Sequence, residues 1–242
     1  MPVSDLTNTA QDYLKVIWSA TEWSATPITV TVLAERMGVR PSTVSDGIKR
    51  LAERGFLIHA PYGSIELTDV GRAHAVAMAR RHRLLETFLV ETLGYGWDEV
   101  HDEADVLEHA VSDLMINRID EQLGHPTRDP HGDPIPSADG RPHRPTATQL
   151  TNANPGQELT IARISDADPS MLRYFADIGL TPDTKLTVLQ RRPYVDLTTV
   201  CLVGQTEEIN LGSTATDGRP PSVCAACPSA GGRRTREAAA RR

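Results

Sequence analysis

The amino-acid sequence predicts a mainly helical protein with small β elements, and three observations support this. The N-terminal part follows the order helix, helix, glycine turn, helix and hairpin, and two longer helical patterns with apolar stripes come next. A proline-rich stretch then leads into several short strands. We therefore expect a winged helix-turn-helix domain at 1–72, a helical domain with a tether at 73–145, a small SH3-like barrel at 146–212 and a tail at 213–242.

The N-terminal domain has the pattern of a winged helix-turn-helix. Apolar spacing predicts three helices and a two-stranded hairpin, at Asp5–Trp23, Thr29–Met37, Pro41–Arg54 and Phe56–Thr68. Pro41 suits the first turn of the third helix, and Ser42 is expected to cap it. A small α+β domain without a DNA role has similar elements, but the order of the elements, the glycine turn and the local charge favour DNA binding.

Two further helices are predicted at Asp69–Leu93 and Trp97–Leu123, each with a long apolar stripe. We expect this pair to pack on the winged domain and on a second copy of itself, which makes the protein a homodimer. The segment His125–Pro145 holds six prolines and two X-Gly turns. It is predicted to be a tether without regular structure.

The C-terminal part predicts a small barrel. Short strands are expected at Glu158–Ile164, Lys185–Gln190, Thr198–Val203 and Glu207–Leu211, and a brief helix at Ser170–Ile178. After Gly212 the chain is rich in Gly, Ala, Pro and Arg, so we expect disorder there. The tail contains one CxxC, Cys224-Ala-Ala-Cys227, without the second pair that a zinc site needs.

Composition and charge exclude several classes of protein. The apolar runs are broken by charge and the N-terminus lacks a signal pattern, so we expect no membrane association. Three cysteines give no disulfide framework, which suits the cytoplasm. The net charge of −7 is unevenly divided. Residues 29–83 carry nine basic and five acidic side chains, whereas residues 84–125 carry one basic and eleven acidic side chains. The first region can face phosphates, and the second attracts cations.

The acidic region carries side chains that suit a metal ion. At a rotation of about 100° per residue, four side chains of one helix fall within an arc of roughly 100° and so share a face. They are two imidazoles and two carboxylates, those of His101, Asp105, Glu108 and His109. A neighbouring helix presents a second pair four residues apart, His82 and Glu86. Such a face is usually just solvated, and a lone His-x-x-x-Glu pair is more often a salt bridge. Because carboxylate oxygens and imidazole nitrogens from two neighbouring helices can converge, the two sets together favour a site for a divalent transition metal.

Four longer motifs carry a family resemblance. They are Gln11-Asp-Tyr-Leu-Lys15, Arg81-His-Arg-Leu-Leu-Glu86, Val100-His-Asp-Glu-Ala-Asp-Val-Leu-Glu-His-Ala-Val-Ser-Asp113 and Asp129-Pro-His-Gly-Asp-Pro-Ile-Pro136. Over roughly residues 5–212 the chain resembles the diphtheria-toxin-repressor family of metal-dependent transcriptional repressors, and most of all its actinobacterial manganese transport regulators. The resemblance implies a homodimer with a FeoA-like barrel that binds palindromic operator DNA and controls genes of metal uptake. It implies no enzymatic activity and no small-molecule substrate.

The resemblance also implies two metal sites. The primary site would be built from Asp12, Asp105, Glu108 and His109. The ancillary site would take His82, Glu86 and His101. A ligand from the barrel falls near Asp168, and Asp166 is its alternative. Where iron-type members carry a second barrel ligand, this chain has Met171.

Two departures from the iron-type members bear on the metal. Those members carry Met and Cys where this chain has Asp12 and Asp105, so the primary donors here are all oxygen and nitrogen. Hard donors favour Mn²⁺, with Fe²⁺ or Co²⁺ as possible substitutes, although Mn²⁺ binds most weakly in the divalent series and its selection depends on geometry and charge. The family's binuclear manganese sensors carry an acid where this chain has Lys15, which would repel a nearby cation. We therefore expect separate primary and ancillary sites.

The recognition helix of the family maps onto Pro41–Arg54. The side chains expected to contact DNA are Arg40, Ser42, Thr43, Ser45, Asp46, Lys49 and Arg50. Hydroxyls at the start of the helix reach phosphates or base edges, and the basic side chains add charge along the backbone. The wing tip Tyr62-Gly63 lacks a basic residue, so binding is expected to depend on the avidity of a dimer.

Other functions share parts of this pattern. An iron-dependent repressor of the same fold is the main alternative. A carboxylate-bridged metalloenzyme would need Glu-x-x-His on two helices, whereas Glu108 and His109 are adjacent and have no second copy. A third alternative is a regulator that responds to an organic ligand, whose DNA binding would not depend on metal. The remaining histidines are expected to be structural, namely His59, His74, His125, His131 and His143.

Overall fold

The computed structural model describes residues 6–22, 27–59, 63–141, 147–212 and 223–226. Within these residues the helices are α1 (Asn8–Glu22), α2 (Val30–Arg36), α3 (Pro41–Glu53), α4 (Asp69–Leu93), α5 (Val100–Leu107), α6 (Asp113–Gln122) and α7 (Pro169–Asp177). The strands are β1 (Leu57–His59), β2 (Ile65–Leu67), β3 (Thr148–Gln149), β4 (Glu158–Ile164), β5 (Lys185–Arg192), β6 (Leu197–Leu202), β7 (Glu208–Gly212) and β8 (Val223–Ala226). None of the helices described is both long and apolar enough to cross a bilayer.

The N-terminal domain is a winged helix-turn-helix, as predicted. Helices α1 to α3 enclose an apolar core, and β1 pairs antiparallel with β2 to form the wing. The face of α3 that contains Val44, Ile48 and Leu51 is buried in this core. The predicted cap was wrong: Arg40 occupies the N-cap position without a side-chain hydrogen bond, because Pro41 itself opens the helix. Pro61 and Tyr62 of the predicted turn lie outside the described residues.

The helical domain differs from its prediction at one place. Helix α4 has the predicted bounds, and Gly94 ends it in the left-handed conformation. The single helix expected at Trp97–Leu123 is instead α5, a turn at 108–112 and α6. Two interactions explain the break: Arg81 donates to the carbonyl oxygen of Val111 at 2.6 Å, and the Ser112 hydroxyl accepts from the Met115 amide and starts a new helix. The break puts Glu108 and His109 on a turn.

The C-terminal domain is an antiparallel sheet in the order β3-β8-β4-β5-β6-β7, packed with α7 around its own core. The four predicted strands and the helix are confirmed. Strand β8 was missed because it is short and Ala-rich, and it lies in the tail that was expected to be disordered. That expectation was wrong for Val223–Ala226, whose first three residues are buried between β3 and β4. Cys227 lies outside the described residues.

The proline-rich segment is not a free tether. Its residues 129–136 are mostly buried and run along β4, where the Ile164 amide donates to the His131 carbonyl oxygen at 2.9 Å. Gly132, at φ +93°, passes so close to the Ala162 carbonyl that a Cβ there would overlap it. This close approach attaches the segment to the barrel. His143 of the same segment lies outside the described residues.

One buried arginine of α4 connects all three domains. The Arg83 guanidinium makes two hydrogen bonds to the Glu22 carboxylate at the end of α1, and a third to the Pro134 carbonyl oxygen at 2.7 Å. Asp133, next to Pro134, accepts in turn from Arg163 of β4. Charge-assisted and bidentate hydrogen bonds of this kind are strong and directional, so they fix the domains relative to one another.

We predict that β8 is required for the stability of the barrel. Val223→Asp puts a carboxylate at a fully buried position and should destabilise the barrel by about 3 kcal/mol or more, because the charge has no partner there. The matched control is Leu189→Asp on β5, where the side chain is 41% exposed and the cost should stay below about 1 kcal/mol. Chemical denaturation measures both. Equal effects of the two substitutions would mean that β8 does not belong to the sheet.

Candidate metal centre

Side chains from all three domains converge at one place in the fold. Helix α1 contributes Asp12 and Lys15, and α4 contributes His82 and Glu86. Helix α5 and the turn after it contribute His101, Asp105, Glu108 and His109. The loop between β4 and α7 adds Asp166. In this region the donor atoms of four groups lie within 4.8 Å of one another, close enough to hold a cation.

The first group, the primary cluster, consists of Asp12, Glu108 and His109. The His109 Nε2 atom lies 2.9 Å from Asp12 Oδ1 and 3.6 Å from Glu108 Oε1. The Glu108 side chain is fully buried, and those of Asp12 and His109 are mostly covered. The cluster therefore combines one candidate ligand of the DNA-binding domain with two of the helical domain.

Gln11 orients the imidazole of the primary cluster. Its side-chain amide nitrogen donates to the Leu6 carbonyl at 3.0 Å, which turns Oε1 toward His109 Nδ1 at 2.8 Å. Because this oxygen only accepts, Nδ1 donates to it, and Nε2 is the nitrogen that faces the carboxylates of the cluster. A partner of this kind commonly orients a metal-ligating histidine. The sequence motif that contains Gln11 gives no indication of this role.

Asp105 does not join the primary cluster. Its Oδ1 accepts from Lys15 Nζ at 2.7 Å and lies 3.2 Å from His82 Nδ1. Lys15 also donates to Glu108 Oε1 at 2.7 Å. His82, Asp105 and Glu108 form a separate group, the bridging cluster, with the ammonium among them. Of the four ligands that the resemblance implies for the primary site, the structure brings three together and turns the fourth toward Lys15.

The ancillary cluster consists of His82, Glu86, His101 and Asp166. Glu86 Oε1 lies 2.9 Å from His82 Nε2 and 3.3 Å from His101 Nδ1. The barrel supplies Asp166, whose Oδ2 is 2.9 Å from His101 Nδ1.

The predicted barrel ligand Asp168 is displaced from this cluster. It is the N-cap of α7 and accepts from the amides of Ser170 and Met171. An Asp immediately ahead of a helix that begins with proline has this capping role by default, and the alternative residue Asp166 faces the cluster instead.

His131 is a residue of this region that sequence reasoning interpreted as structural. It is fully buried, and its Nε2 donates to the Trp97 carbonyl oxygen at 2.6 Å. Its Nδ1 faces Glu86 Oε2 across 3.8 Å, and neither atom has a hydrogen-bond partner. With Asp129 these residues form a fourth group beside the ancillary cluster. The only signal in the sequence was the position of His131 within the proline-rich motif.

Charge pairing shifts the pKa values of the ancillary ligands. Burial opposes the charge on His101, but the neighbouring Asp166 carboxylate raises its pKa to about 10. Burial likewise opposes the charge on His82, and the Glu86 carboxylate raises its pKa well above the usual range. The pKa values of Glu86 and Asp166 are lowered by these histidines against the effect of burial. The metal-free centre thus holds protons that a metal ion has to replace, since a ligating imidazole is neutral.

The residues of the primary and ancillary clusters fit a divalent cation. Both offer carboxylate oxygen and imidazole nitrogen from elements that meet at the domain boundary. The buried Glu86 Oε2 atom without a hydrogen-bond partner is a second indication, because such atoms are rare in folded proteins. Hard carboxylate donors with imidazole suit Mn²⁺ and Fe²⁺.

The predicted DNA-contacting residues lie on one exposed surface at the start and along the outer face of α3. All of them are exposed, namely Arg40, Ser42, Thr43, Ser45, Asp46, Lys49 and Arg50. The opposite face of α3 contacts α1, where the ring of Tyr13 fills the space that a side chain at Gly47 would need. The helix that carries Asp12 and the candidate recognition helix are therefore in direct contact.

Comparison with known proteins identifies the family. Three family models match successive parts of the chain: "Iron dependent repressor, N-terminal DNA binding domain" at residues 5–65, "Iron dependent repressor, metal binding and dimerisation domain" at residues 68–137, and "FeoA domain" at residues 148–216. The chain belongs to the diphtheria-toxin-repressor family. The family prediction is confirmed, and the chain is a metal-dependent transcriptional repressor rather than an enzyme.

Individual relatives include repressors of both metal types. The iron-dependent repressor IdeR of Mycobacterium leprae (strain TN) is 32% identical over 199 residues, which cover 77% of this chain and 86% of that protein. The diphtheria toxin repressor of Corynebacterium diphtheriae is 33% identical over 171 residues, 71% of each chain. A solved manganese-dependent transcriptional repressor in complex with manganese matches with a TM-score of 0.85 and 54% identity, covering 90% of this chain and 100% of that one.

We predict that Asp166, and not Asp168, ligates an ion in the ancillary cluster. Asp166→Ala should weaken that ion's binding at least about tenfold, because the barrel then supplies no carboxylate to the cluster. Asp168→Ala is the matched control, and it should only lower the stability of α7 by about 1 kcal/mol through loss of the cap. Competition with a fluorescent chelator measures the metal affinity. If Asp168→Ala weakened metal binding and Asp166→Ala did not, Asp168 would be the ligand.

Proposed function

We propose that this repressor uses Mn²⁺ as its corepressor and binds palindromic operator DNA as a homodimer. By this it would control genes of manganese uptake in the cytoplasm. The observation that carries the proposal is the primary cluster, in which Asp12 of the DNA-binding domain meets Glu108 and His109 of the helical domain. An ion shared between these two domains sets the position of one relative to the other.

The donor chemistry supports manganese. Asp12, where iron-type members carry Met, contributes oxygen rather than sulfur, and the other donors of the cluster are a carboxylate and an imidazole. This set suits a hard cation better than a soft one. The solved manganese-dependent repressor at 54% identity supports the same choice. The iron-dependent relatives at 32% identity keep Fe²⁺ as the second candidate.

The mechanism follows from charge at the domain boundary. In the absence of metal, the Lys15 ammonium joins α1 to Glu108 and Asp105, but donor oxygens of Asp12 and Glu108 lie within 4.8 Å of each other and repel, which weakens the attachment of α1 to the turn after α5. A bound divalent cation would supply the positive charge that these carboxylates need to remain together. Because the Tyr13 ring packs on Gly47, a fixed α1 also fixes α3 and hence the recognition surface. The coupling is reciprocal, so operator DNA should tighten metal binding by the same factor.

The homodimer is supported by exposed apolar side chains of the helical domain. Leu93, Val106, Leu114 and Met115 are 46–70% exposed within one chain. Exposed apolar residues of this number on one domain indicate a surface that a second copy covers. Two recognition helices held in a fixed dimer would then read two half-sites of a palindrome.

We predict that Asp12→Ala abolishes metal-dependent DNA binding and leaves the protein folded, because the DNA-binding domain then contributes no ligand to the primary cluster. The measurement is fluorescence anisotropy with a palindromic duplex selected from random DNA, as stripped protein is titrated with Mn²⁺ or, anaerobically, with Fe²⁺. For the wild type, the free ion concentration at half-maximal response, taken as a fraction of the concentration of that ion in the cell, should be lower for Mn²⁺ than for Fe²⁺.

The control is Asp102→Ala, which removes an exposed acid of α5 outside the clusters and should leave the titration unchanged. Full Mn²⁺-responsive binding by the Asp12 variant would refute the site. A wild type that responds to Fe²⁺ but not to Mn²⁺ would refute the choice of metal.

We predict that Leu114→Glu disrupts the dimer. A two-fold interface uses the same surface of both copies, so the substitution buries an unpaired carboxylate twice and the association weakens at least about tenfold. Val203→Glu, at a 52% exposed position of the barrel, is the matched control and should leave the dimer intact. Sedimentation velocity measures both variants. An unchanged dimer in the Leu114 variant would place the interface elsewhere.

A further inference from the structure

Asp46 is the only acidic side chain among the seven residues that are predicted to contact DNA. It is exposed on α3, and its carboxylate forms no ion pair with a side chain of the described residues. This holds although Lys49 and Arg50 follow it at the spacings that allow an ion pair on a helix. Phosphates repel a carboxylate, so the recognition surface carries one group that the DNA backbone does not attract.

The geometry of α3 directs Asp46 away from the protein. At about 100° per residue, Asp46 lies on the side of the helix opposite the buried stripe of Val44, Ile48 and Leu51. It belongs to the second turn of the helix, one turn after Ser42. The N-terminal residues of a recognition helix are those that contact base edges in the major groove. When α3 lies in the groove, Asp46 therefore points at the bases.

The chemistry of the carboxylate restricts which base it can bind. An ionised carboxylate only accepts hydrogen bonds, so its partner has to donate one. In the major groove, cytosine donates through its N4 amino group and adenine through its N6 amino group. Adenine also presents the acceptor N7 beside N6, which repels a carboxylate oxygen, whereas cytosine has no acceptor of its own in that groove. Cytosine is therefore the base that this side chain favours.

We propose that Asp46 specifies a cytosine in each half-site of the operator by accepting a hydrogen bond from the N4 amino group of that base. The inference rests on the proposed function, since it presumes a metal-activated dimer on palindromic DNA. It goes further in naming a base and the residue that reads it. The exposed basic side chains Arg40, Lys49 and Arg50 supply the attraction to phosphates that offsets the charge of Asp46.

The first test selects binding sites from random duplex DNA with the Mn²⁺-loaded protein and, anaerobically, with the Fe²⁺-loaded protein. Sites selected by the wild type should share a cytosine at one position of each half-site. Asp46→Asn should change that position to adenine and leave the others unchanged, because a side-chain amide pairs with N6 and N7 of adenine. The matched control is Glu53→Gln, which removes an exposed carboxylate from the last residue of α3 and should leave every selected position unchanged.

The second test removes the amino group from the DNA. The shared cytosine is replaced by 2-pyrimidinone, which lacks N4, and fluorescence anisotropy measures the affinity of the wild type and of Asp46→Ala for both duplexes. The replacement should weaken binding of the wild type at least about fivefold more than binding of the Ala variant. The comparison with the Ala variant accounts for the weaker base pair of 2-pyrimidinone. An equal loss in both proteins would overturn the inference.

The outcomes separate this inference from the proposed function. If Asp46 faces a phosphate instead of a base, Asp46→Asn should strengthen binding to every duplex alike and leave the selected sequence unchanged. That result would overturn the role of Asp46 and leave the proposed function standing. A wild type that selects no palindrome with either metal would overturn both.

Discussion

The repulsion between carboxylates on opposite sides of a domain boundary is the constraint on which the metal centre depends. Asp12 belongs to the first helix of the DNA-binding domain, and Glu108 to a turn of the helical domain. Like charges at short range separate unless a cation lies between them. The same boundary also carries connections that need no metal, namely the ion pairs of Lys15 with Asp105 and Glu108 and the buried pair of Arg83 and Glu22. A metal ion shared by Asp12 and Glu108 would therefore act near the start of α1 while Lys15 and Glu22 already hold this helix, which favours a pivot of α1 over its full release.

The two metal clusters are parts of one network rather than independent sites. His82 contacts ligands of both, and Asp166 brings the barrel into the same network through His101. The buried His131 extends it to the proline-rich segment that runs along β4. Binding at the ancillary cluster would therefore also fix the barrel on the helical domain. This arrangement gives the C-terminal domain a physical role in a switch whose DNA contacts lie in the N-terminal domain.

Much of the fold could be predicted because its signals are local. Periodic apolar residues located α4 and the four main barrel strands, and the residue types of the motifs indicated the metal clusters. Two features depend on contacts distant in sequence and were missed. Arg81 ends α5 early by binding carbonyls of the following turn, and β8 is a strand only because β3 and β4 flank it. The choice between Asp166 and Asp168 depends on which one the start of α7 takes as its cap. Lys15 was expected to repel a cation, and its position among the carboxylates needed coordinates.

The most direct test of the shared cation is a crystal structure of the Mn²⁺-loaded protein with anomalous scattering measured at the manganese edge. The account predicts an anomalous peak bound by Asp12, Glu108 and His109, with atoms of two domains in one coordination sphere. A peak bound only by residues of the helical domain, with the Asp12 carboxylate directed to solvent, would contradict it.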